Sequence, residues 1–376
     1  FNKLDLGEDY TVRPALNKNP LNGVTTYDIA LIQRHILGIQ YLDSPYKLIA
    51  ADVRPDGVIN VLDIADLRAL ILGKTSEFAN NTSWRFVSTD QQFGPGLVHP
   101  PLQIEEDRLY ENFTSSIRSA DFIGVKIGDV NGSAQPNSLT PSMERRSGEV
   151  IAIQIEEGVY RSGEQISVEI NAANFHNVIG YQLTFEFDNS SLDFAGFESG
   201  AVEITDNNFG FHMTAEGVIT TSWNSMKAEN LAENELLFVL NFSVKADVRA
   251  TDAFRLSDRI TKTEAYRMDG RILEMDLRFT RDGIPITTDV FALYQNQPNP
   301  FSGQTVIGFV LPVDMEADLS IFDVTGRLIH VISGDYPAGY NEIRLPENDL
   351  PLSGVYYYQL EAEGYRATKR MVLTGN

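Results

Sequence analysis

The stretch Asp52-Val53-Arg54-Pro55-Asp56-Gly57-Val58-Ile59-Asn60-Val61-Leu62-Asp63 decides how this chain is read. A calcium ion takes about six to eight oxygens, and a twelve-residue loop supplies them from positions 1, 3, 5, 7, 9 and 12. Asp52, Asp56, Asn60 and Asp63 fall at positions 1, 5, 9 and 12, and the Val58 carbonyl stands at position 7. Gly57 holds position 6, where the backbone must turn sharply. Arg54 departs from the pattern at position 3, where Asp or Asn is expected. Ile64, Leu67 and Ile71 follow at helical spacing, and Gly73 is a stop. The simpler alternative is an acidic turn that caps this helix through Asp63.

An earlier segment repeats this one at an offset of 35 residues: Asp28 aligns with Asp63, Val24 with Ile59, Ile29 with Ile64 and Gly38 with Gly73. A loop-plus-helix repeat is a stronger signal than any single loop. The first copy is degenerate. Asn17, Asn19, Thr25 and Asp28 take positions 1, 3, 9 and 12, but Leu21 takes position 5. Paired calcium loops followed by helices resemble the dockerin modules of extracellular protein assemblies, and the resemblance implies Ca2+ as the bound ion.

The chain has 376 residues, a length for two or three domains, and 43% of them are hydrophobic. A net charge of −22 argues against nucleic acid and anionic membrane surfaces. There is no cysteine, which excludes disulfides, thiolate metal sites and cysteine catalysis. No apolar run is long enough for a membrane span. The chain starts at Phe1 without a signal-peptide pattern and reads as the C-terminal part of a longer precursor.

The expected fold is multidomain and mostly β: a small α-rich calcium module followed by two antiparallel β-sandwiches. Residues 1–15 read as the end of an upstream β module, 16–134 as the repeat with an irregular insertion, and 135–148 as a linker. Residues 149–282 follow as the first sandwich, then a linker over 283–292 and the second sandwich over 293–376. The aromatics Phe78, Trp84, Phe86, Phe93, Tyr110, Phe113 and Phe122 are expected to pin the insertion onto its own domain. Glu105-Glu106-Asp107 reads as solvated, since acid–base chemistry needs carboxylates in separately tuned environments. At Gly128-Asp129-Val130-Asn131-Gly132-Ser133 a second loop opening stands without an end. If the strand over 122–127 returns beside the first copy, Asp129 and Asn131 supply the oxygens that Leu21 denies to Asp28. The competing reading is a plain turn and an empty first loop.

Residues 149–282 alternate with period two, as in Leu183, Phe185 and Phe187 against Gln182, Thr184 and Glu186. The order of Gly163-Glu164-Gln165-Ile166-Ser167-Val168, Ile179-Gly180-Tyr181-Gln182-Leu183, Ser191-Leu192-Asp193-Phe194, Gly217-Val218-Ile219-Thr220-Thr221-Ser222-Trp223 and Glu264-Ala265-Tyr266-Arg267-Met268-Asp269-Gly270 resembles the cohesin modules. His176 and His212 are lone histidines without ligand spacing.

The last segment carries Pro298-Asn299-Pro300-Phe301, Asp323-Val324-Thr325-Gly326-Arg327, Ser353-Gly354-Val355-Tyr356 and Thr368-Lys369-Arg370-Met371. In this order they resemble the type A C-terminal sorting domain of the type IX secretion system of Bacteroidetes. The resemblance implies Pro298, Asn299, Pro300, Phe301, Gly326, Gly354, Lys369 and Arg370 as its motif residues. It further implies export across the outer membrane, the secretion machinery as partner, a secreted or cell-surface location, and processing near 284–289.

No nucleophile–base pair, phosphate loop or His-rich metal site is visible, so the expected function is non-catalytic: calcium-stabilised binding or adhesin-like modules joined to a secretion signal. The alternatives are accessory modules of an extracellular enzyme, such as a glycoside hydrolase encoded upstream, or a carbohydrate-binding module. Expected partners include a cohesin–dockerin-like contact within the chain or between copies, and an extracellular glycan or protein ligand.

Overall fold

The computed structural model describes residues 4–117, 119–135, 146–281, 284–286, 291–313, 315–337, 339–362 and 365–374. Most of the expected linker over 135–148, part of the processing segment over 284–289, and the hairpin tip at Glu363 and Gly364 lie outside them. The chain forms two compact units, Phe1–Leu277 and Arg278–Asn376.

The first unit opens with a helical module. It holds α1 (Thr26–Ile36), α2 (Pro45–Ala51) and α3 (Val61–Ile71). Its short strands are β1 (Tyr10–Val12), β2 (Trp84–Ser88), β3 (Arg108–Tyr110) and β4 (Phe122–Lys126). The residues aligned by the 35-residue offset do the same work in both copies. Ile29 with Ile64, and Ile32 with Leu67, meet in one buried core with Leu48, Val87 and Ile127. Both α1 and α3 start in a capping box, Thr25 with Asp28 and Asn60 with Asp63. The cap of α3 is therefore Asn60; Asp63 sits three residues in and accepts the Asn60 N–H. Strand β1 pairs with β3, inside this unit, and β2 pairs with β4. Phe78 is buried in the module core, and Phe93 packs edge-on against Tyr46 of α2 at 5.5 Å. Two of the acidic trio are tied to arginines, Glu106 to Arg85 at 2.8 Å and Asp107 to Arg13 at 2.6 Å, and Glu105 is exposed.

The rest of the first unit is a sandwich. Its strands are β5 (Arg146–Glu156), β6 (Val159–Tyr160), β7 (Gln165–Ala173), β8 (Val178–Phe187), β9 (Leu192–Ser199), β10 (Phe209–Gly210) and β11 (Val218–Glu229). They continue as β12 (Leu236–Val244), β13 (Val248–Arg249), β14 (Phe254–Ser257), β15 (Glu264–Arg267) and β16 (Ile272–Arg281), which runs past the end of the first unit at Leu277; its last three residues, already in the second unit, pair with β17 (Ile284–Ile286). The main hydrogen-bonded path runs β10-β11-β8-β15-β16-β5-β7-β12-β9. Its two halves face each other through aromatic rings. Phe187 of β8 meets Phe242 of β12 at 5.0 Å, and Phe209 of β10 meets Phe238 of β12 at 5.4 Å. Period-two alternation thus turns Leu183, Phe185 and Phe187 inward, as expected.

The second unit carries β18 (Ala292–Leu293), β19 (Gln304–Leu311) and β22 (Gly339–Pro346) in one sheet. The other sheet orders β21 (Leu328–Tyr336), β20 (Met315–Asp323), β23 (Gly354–Ala362) and β24 (Tyr365–Leu373). Phe309, Leu319, Ile321, Tyr358, Leu360 and Met371 are buried between them.

Candidate functional site

All ten residues of β8 are buried, on both faces. One face is closed by the sandwich core. The helical module covers the other, where Gly180, Gln182 and Thr184 of β8 stand beside Asn224, Ser222 and Thr220 of β11 in register. A helix leaves its first N–H groups and last carbonyls without intrahelical partners. Here the sandwich satisfies both kinds. The Thr26 N–H, at the start of α1, donates to Gln182 Oε1 at 2.8 Å. The Leu72 carbonyl, at the end of α3, accepts from Thr220 Oγ1 at 2.7 Å.

Side chains complete the contact. Thr26 Oγ1 and Ser222 Oγ share a hydrogen bond of 2.8 Å. Asn224 accepts from Arg68 of α3 at 2.6 Å and donates to Gln33 of α1. Burial pushes the Arg68 guanidinium below its ordinary pKa. Tyr27 stacks on Tyr266 of β15, with ring centroids 5.8 Å apart, beside a small apolar seam of Ala30 and Ile179. Gly210 is required here by space: a Cβ would lie 2.8 Å from the Leu72 carbonyl oxygen and 2.3 Å from Thr220 Oγ1.

The loops lie at the helix starts. In the second loop the Asp52 carboxylate accepts from Asp56 N at 3.1 Å and Gly57 N at 3.0 Å. Gly57 adopts φ 82°, a conformation that favours glycine. Asp63 accepts from Arg54 N at 3.0 Å and Asn60 N at 2.9 Å. Asp56 Oδ1 accepts from Val58 N at 3.0 Å, and Asn60 Nδ2 donates to the Val58 carbonyl at 3.3 Å. The Arg54 side chain turns away from the loop to Asp66, 3.3 Å off.

A second arrangement of the same kind joins two distant segments. Asp129 accepts from Gly132 N, Ser133 N and Ala134 N at 2.7, 3.1 and 2.8 Å. Asp28 accepts from Val130 N at 2.9 Å, Asn131 N at 3.2 Å and Thr25 N at 2.9 Å. Thus Asn131 N reaches Asp28 as Arg54 N reaches Asp63, and Thr25 N as Asn60 N does. Ser133 Oγ donates to the Gly23 carbonyl at 3.0 Å, where the two segments meet. Val130 and Val24 are buried, as are Val53 and Ile59 at the matching places of the second loop. Asp129, Asn131 and Ser133 therefore stand as residues 52, 54 and 56 do, and Gly23, Thr25 and Asp28 as residues 58, 60 and 63 do. Burial holds Asp28 well above, and Asp129 above, the usual carboxylate range, and their mutual repulsion raises Asp28 further. Burial also raises Asp52 and Asp63.

Asn17 and Asn19 are used elsewhere. Asn17 Oδ1 accepts from Ser83 N at 2.9 Å, and Asn19 sits at φ 49° in a turn closed by the Asn22 N–H. Leu21, at their would-be position 5, packs against the module core instead. The Lys126 ammonium fixes this turn by donating to the Pro20 carbonyl at 2.6 Å, and burial lowers its pKa to about 8. Among the described residues, no three His, Asp or Glu side chains form a metal-holding group.

Two family models match the chain. Residues 151–268 match that of the cohesin domain, and residues 296–374 match that of the secretion system C-terminal sorting domain. The chain carries a cohesin domain and a sorting domain. The sorting domain marks the chain for export as a secreted or cell-surface protein, and no described helix is long and apolar enough to cross a membrane. Neither matched module is of a catalytic kind.

Similar solved structures include a type I cohesin–dockerin complex of Clostridium thermocellum, at 16% identity and TM-score 0.27, covering 34% of this chain and 94% of that one. Another is a type I cohesin of Pseudobacteroides cellulosolvens, at 20% identity and TM-score 0.26, covering 35% and 88%. A third is a scaffoldin cohesin of Acetivibrio cellulolyticus in complex with a dockerin, at 14% and 0.28, covering 36% and 99%. At these scores the structures add nothing to the family matches. No curated protein matches the chain.

In the sorting domain, the Gln297–Pro298 and Asn299–Pro300 bonds are cis. Asn299 Oδ1 accepts from Val372 N at 2.9 Å, and buried Phe301 bridges to the end of β24. Gly326 turns the chain beside Asp323, whose bonds to Thr325 and Arg327 hold its pKa down at about 2. Gly354 opens β23, while Lys369 and Arg370 are exposed on β24.

Sequence reasoning missed Gln182, Thr220, Ser222 and Asn224 as contact residues, because an outward polar set reads as a solvent face. Its signal was the lack of charge, with Glu186 alone ionisable among the eight outward residues of the two strands from 180 to 224. Asn224→Ala would remove the partner of both Arg68 and Gln33. The expected loss is about 1–3 kcal/mol, read as a lower urea midpoint of the first unit. Ser225→Ala, one residue on, is the control and is expected to change stability by less than about 0.5 kcal/mol.

Proposed function

We propose that this chain is the non-catalytic, exported end of a surface protein, in which a dockerin-like module stabilised by calcium occupies the face of its own cohesin domain. The observation that carries this reading is the pair of helix ends satisfied by one sheet face, Thr26 on Gln182 of β8 and Leu72 on Thr220 of β11. The contact is made within the chain, so the two modules act as one rigid binding or spacer element. The sorting domain delivers that element through the type IX machinery.

The donor chemistry fits calcium, a hard cation that takes oxygen. Carboxylate, amide and carbonyl oxygens gather at both loops, joined at the split loop by the hydroxyls of Thr25 and Ser133, and four of the carboxylates are buried: Asp28, Asp52, Asp63 and Asp129. Buried carboxylates are costly unless a cation or hydrogen bonds compensate them. Asp52, Asp56, Val58, Asn60 and Asp63 would hold one ion. Asp129, Asn131, Ser133, Gly23, Thr25 and Asp28 would hold the other, a loop split between the two ends of the module.

Calcium binding only the folded form adds about 2.7 kcal/mol at a hundredfold excess over Kd. Chelator is therefore expected to lower the melting temperature of the first unit. Asp129→Ala is expected to remove one of two ions in a calorimetric titration; unchanged stoichiometry would refute the split loop. The pH dependence should reverse with the ion. With Asp28 and Asp129 raised above the unfolded value, the folded form binds more protons, so stability in chelator falls as pH rises through that window. Calcium needs the ionised form and should abolish that fall.

Residues 293–376 fall in a separate compact unit, so deleting them is expected to leave the first unit folded. The deleted protein should remain inside the cell envelope of its source cell. Normal surface delivery, measured by protease shaving, would contradict the export role.

A further inference from the structure

Where the helical module rests on the sandwich, the two surfaces leave a cleft of about 470 Å³, within the range of small-ligand sites. Tyr27, Gln40, Tyr41 and Asp43 line it from the module, Asn131 from the split loop and Asp269 from the sandwich. The Tyr27 ring is fixed by stacking on buried Tyr266. Tyr41 is 57% exposed and braced edge-on by His35 at 5.5 Å. An amphipathic ring held in place but left open offers an apolar face with a hydrogen-bonding edge, which suits the C–H face of a sugar. Around these rings stand planar amides and carboxylates, which can engage two neighbouring hydroxyls at once. Asp43 is steadied by Lys47 at 2.8 Å and Asp269 by Arg271 at 2.8 Å. Lys47 of the lining and Arg271 balance these two carboxylates, so the cleft carries no surplus of either sign for a charged ligand, and the chain's net charge of −22 disfavours anions at longer range.

We propose that this cleft binds a short neutral oligosaccharide, with Tyr41 as the stacking platform and Gln40, Asp43 and Asp269 as hydroxyl partners. The site rests on the docked arrangement, because neither module forms it alone.

The test uses the full chain and neutral trisaccharides of glucose, xylose, mannose and galactose, with a galacturonate trisaccharide as the charged control. Saturation-transfer NMR and titration are expected to detect at least one neutral sugar. Tyr41→Ala should weaken it about five- to tenfold, the worth of one aromatic contact, while Tyr41→Phe retains binding. Hydrogen exchange of α1 amides in the same samples reports docking separately. Slow exchange with no neutral sugar bound, binding of the charged control alone, or binding indifferent to Tyr41→Ala would overturn the glycan site. Fast exchange throughout α1 would overturn the docked arrangement and the cleft with it.

Discussion

Two unsatisfied helix ends set the architecture of the first unit. A buried N–H or carbonyl without a partner costs about 1–3 kcal/mol, and α1 and α3 bring one of each to the same sheet face, over the neighbouring strands β8 and β11. Gln182 and Thr220 answer them. Gln182 in turn spends its amide hydrogens on Thr261 and the Lys262 carbonyl, so the network is closed on the sandwich side as well. Apolar contact there is small and tolerant of sliding; a hydrogen-bonded face is not. A shift of the helices by one residue would leave Thr26, Leu72, Arg68 and Asn224 without partners together, which gives one position to the module.

The split loop depends on that position and on the strand pairing behind it. Pairing of β2 with β4 brings the end of the insertion back to the first copy, with Ile127 N bound to the Ser83 carbonyl and Gly128 N to the Ala50 carbonyl. That return places Asp129 in the loop of Asp28. Joining residues about a hundred apart restrains the whole insertion, and closing so long a loop costs only slightly more than closing a short one. The turn left over at residues 17–22 is pinned by Lys126, which donates to the Pro20 carbonyl.

Much of this was legible in the residues. The 35-residue offset reported two equivalent helices, and alternation placed Leu183, Phe185 and Phe187 inside the sandwich. Asp129 could be linked to Asp28 because a loop opening without an end and a loop end without an opening stand in one sequence. What could not be read is which polar face is covered. Thr220 and Ser222 are as compatible with water as with a helix end, since a hydroxyl is satisfied equally by either. Nor did position 3 of the second loop disclose that the Arg54 backbone would contribute where its side chain does not. Asn17 and Asn19 matched by spacing alone, and Leu21 sent the backbone into a separate turn.

Docking within the chain changes what the cohesin face can do for others. A partner tethered in the same unit competes at an effective concentration in the millimolar range or above. A free partner using the same strands must exceed that before it displaces α1, and in doing so it must break the Gln182, Thr220 and Asn224 contacts. With the face so held, ligands gain access through surfaces that docking leaves open or creates. Docking also determines exchange between copies. A module released from its own sandwich exposes Thr26 and Leu72 to water at little cost, but leaves β8 and β11 with an uncharged polar patch of Gln182, Thr220, Ser222 and Asn224 that fits helix ends. The release of one module therefore creates an acceptor for the module of a neighbour with the same hydrogen-bond pattern. At ordinary protein concentrations the tether favours the closed single chain over exchange between copies.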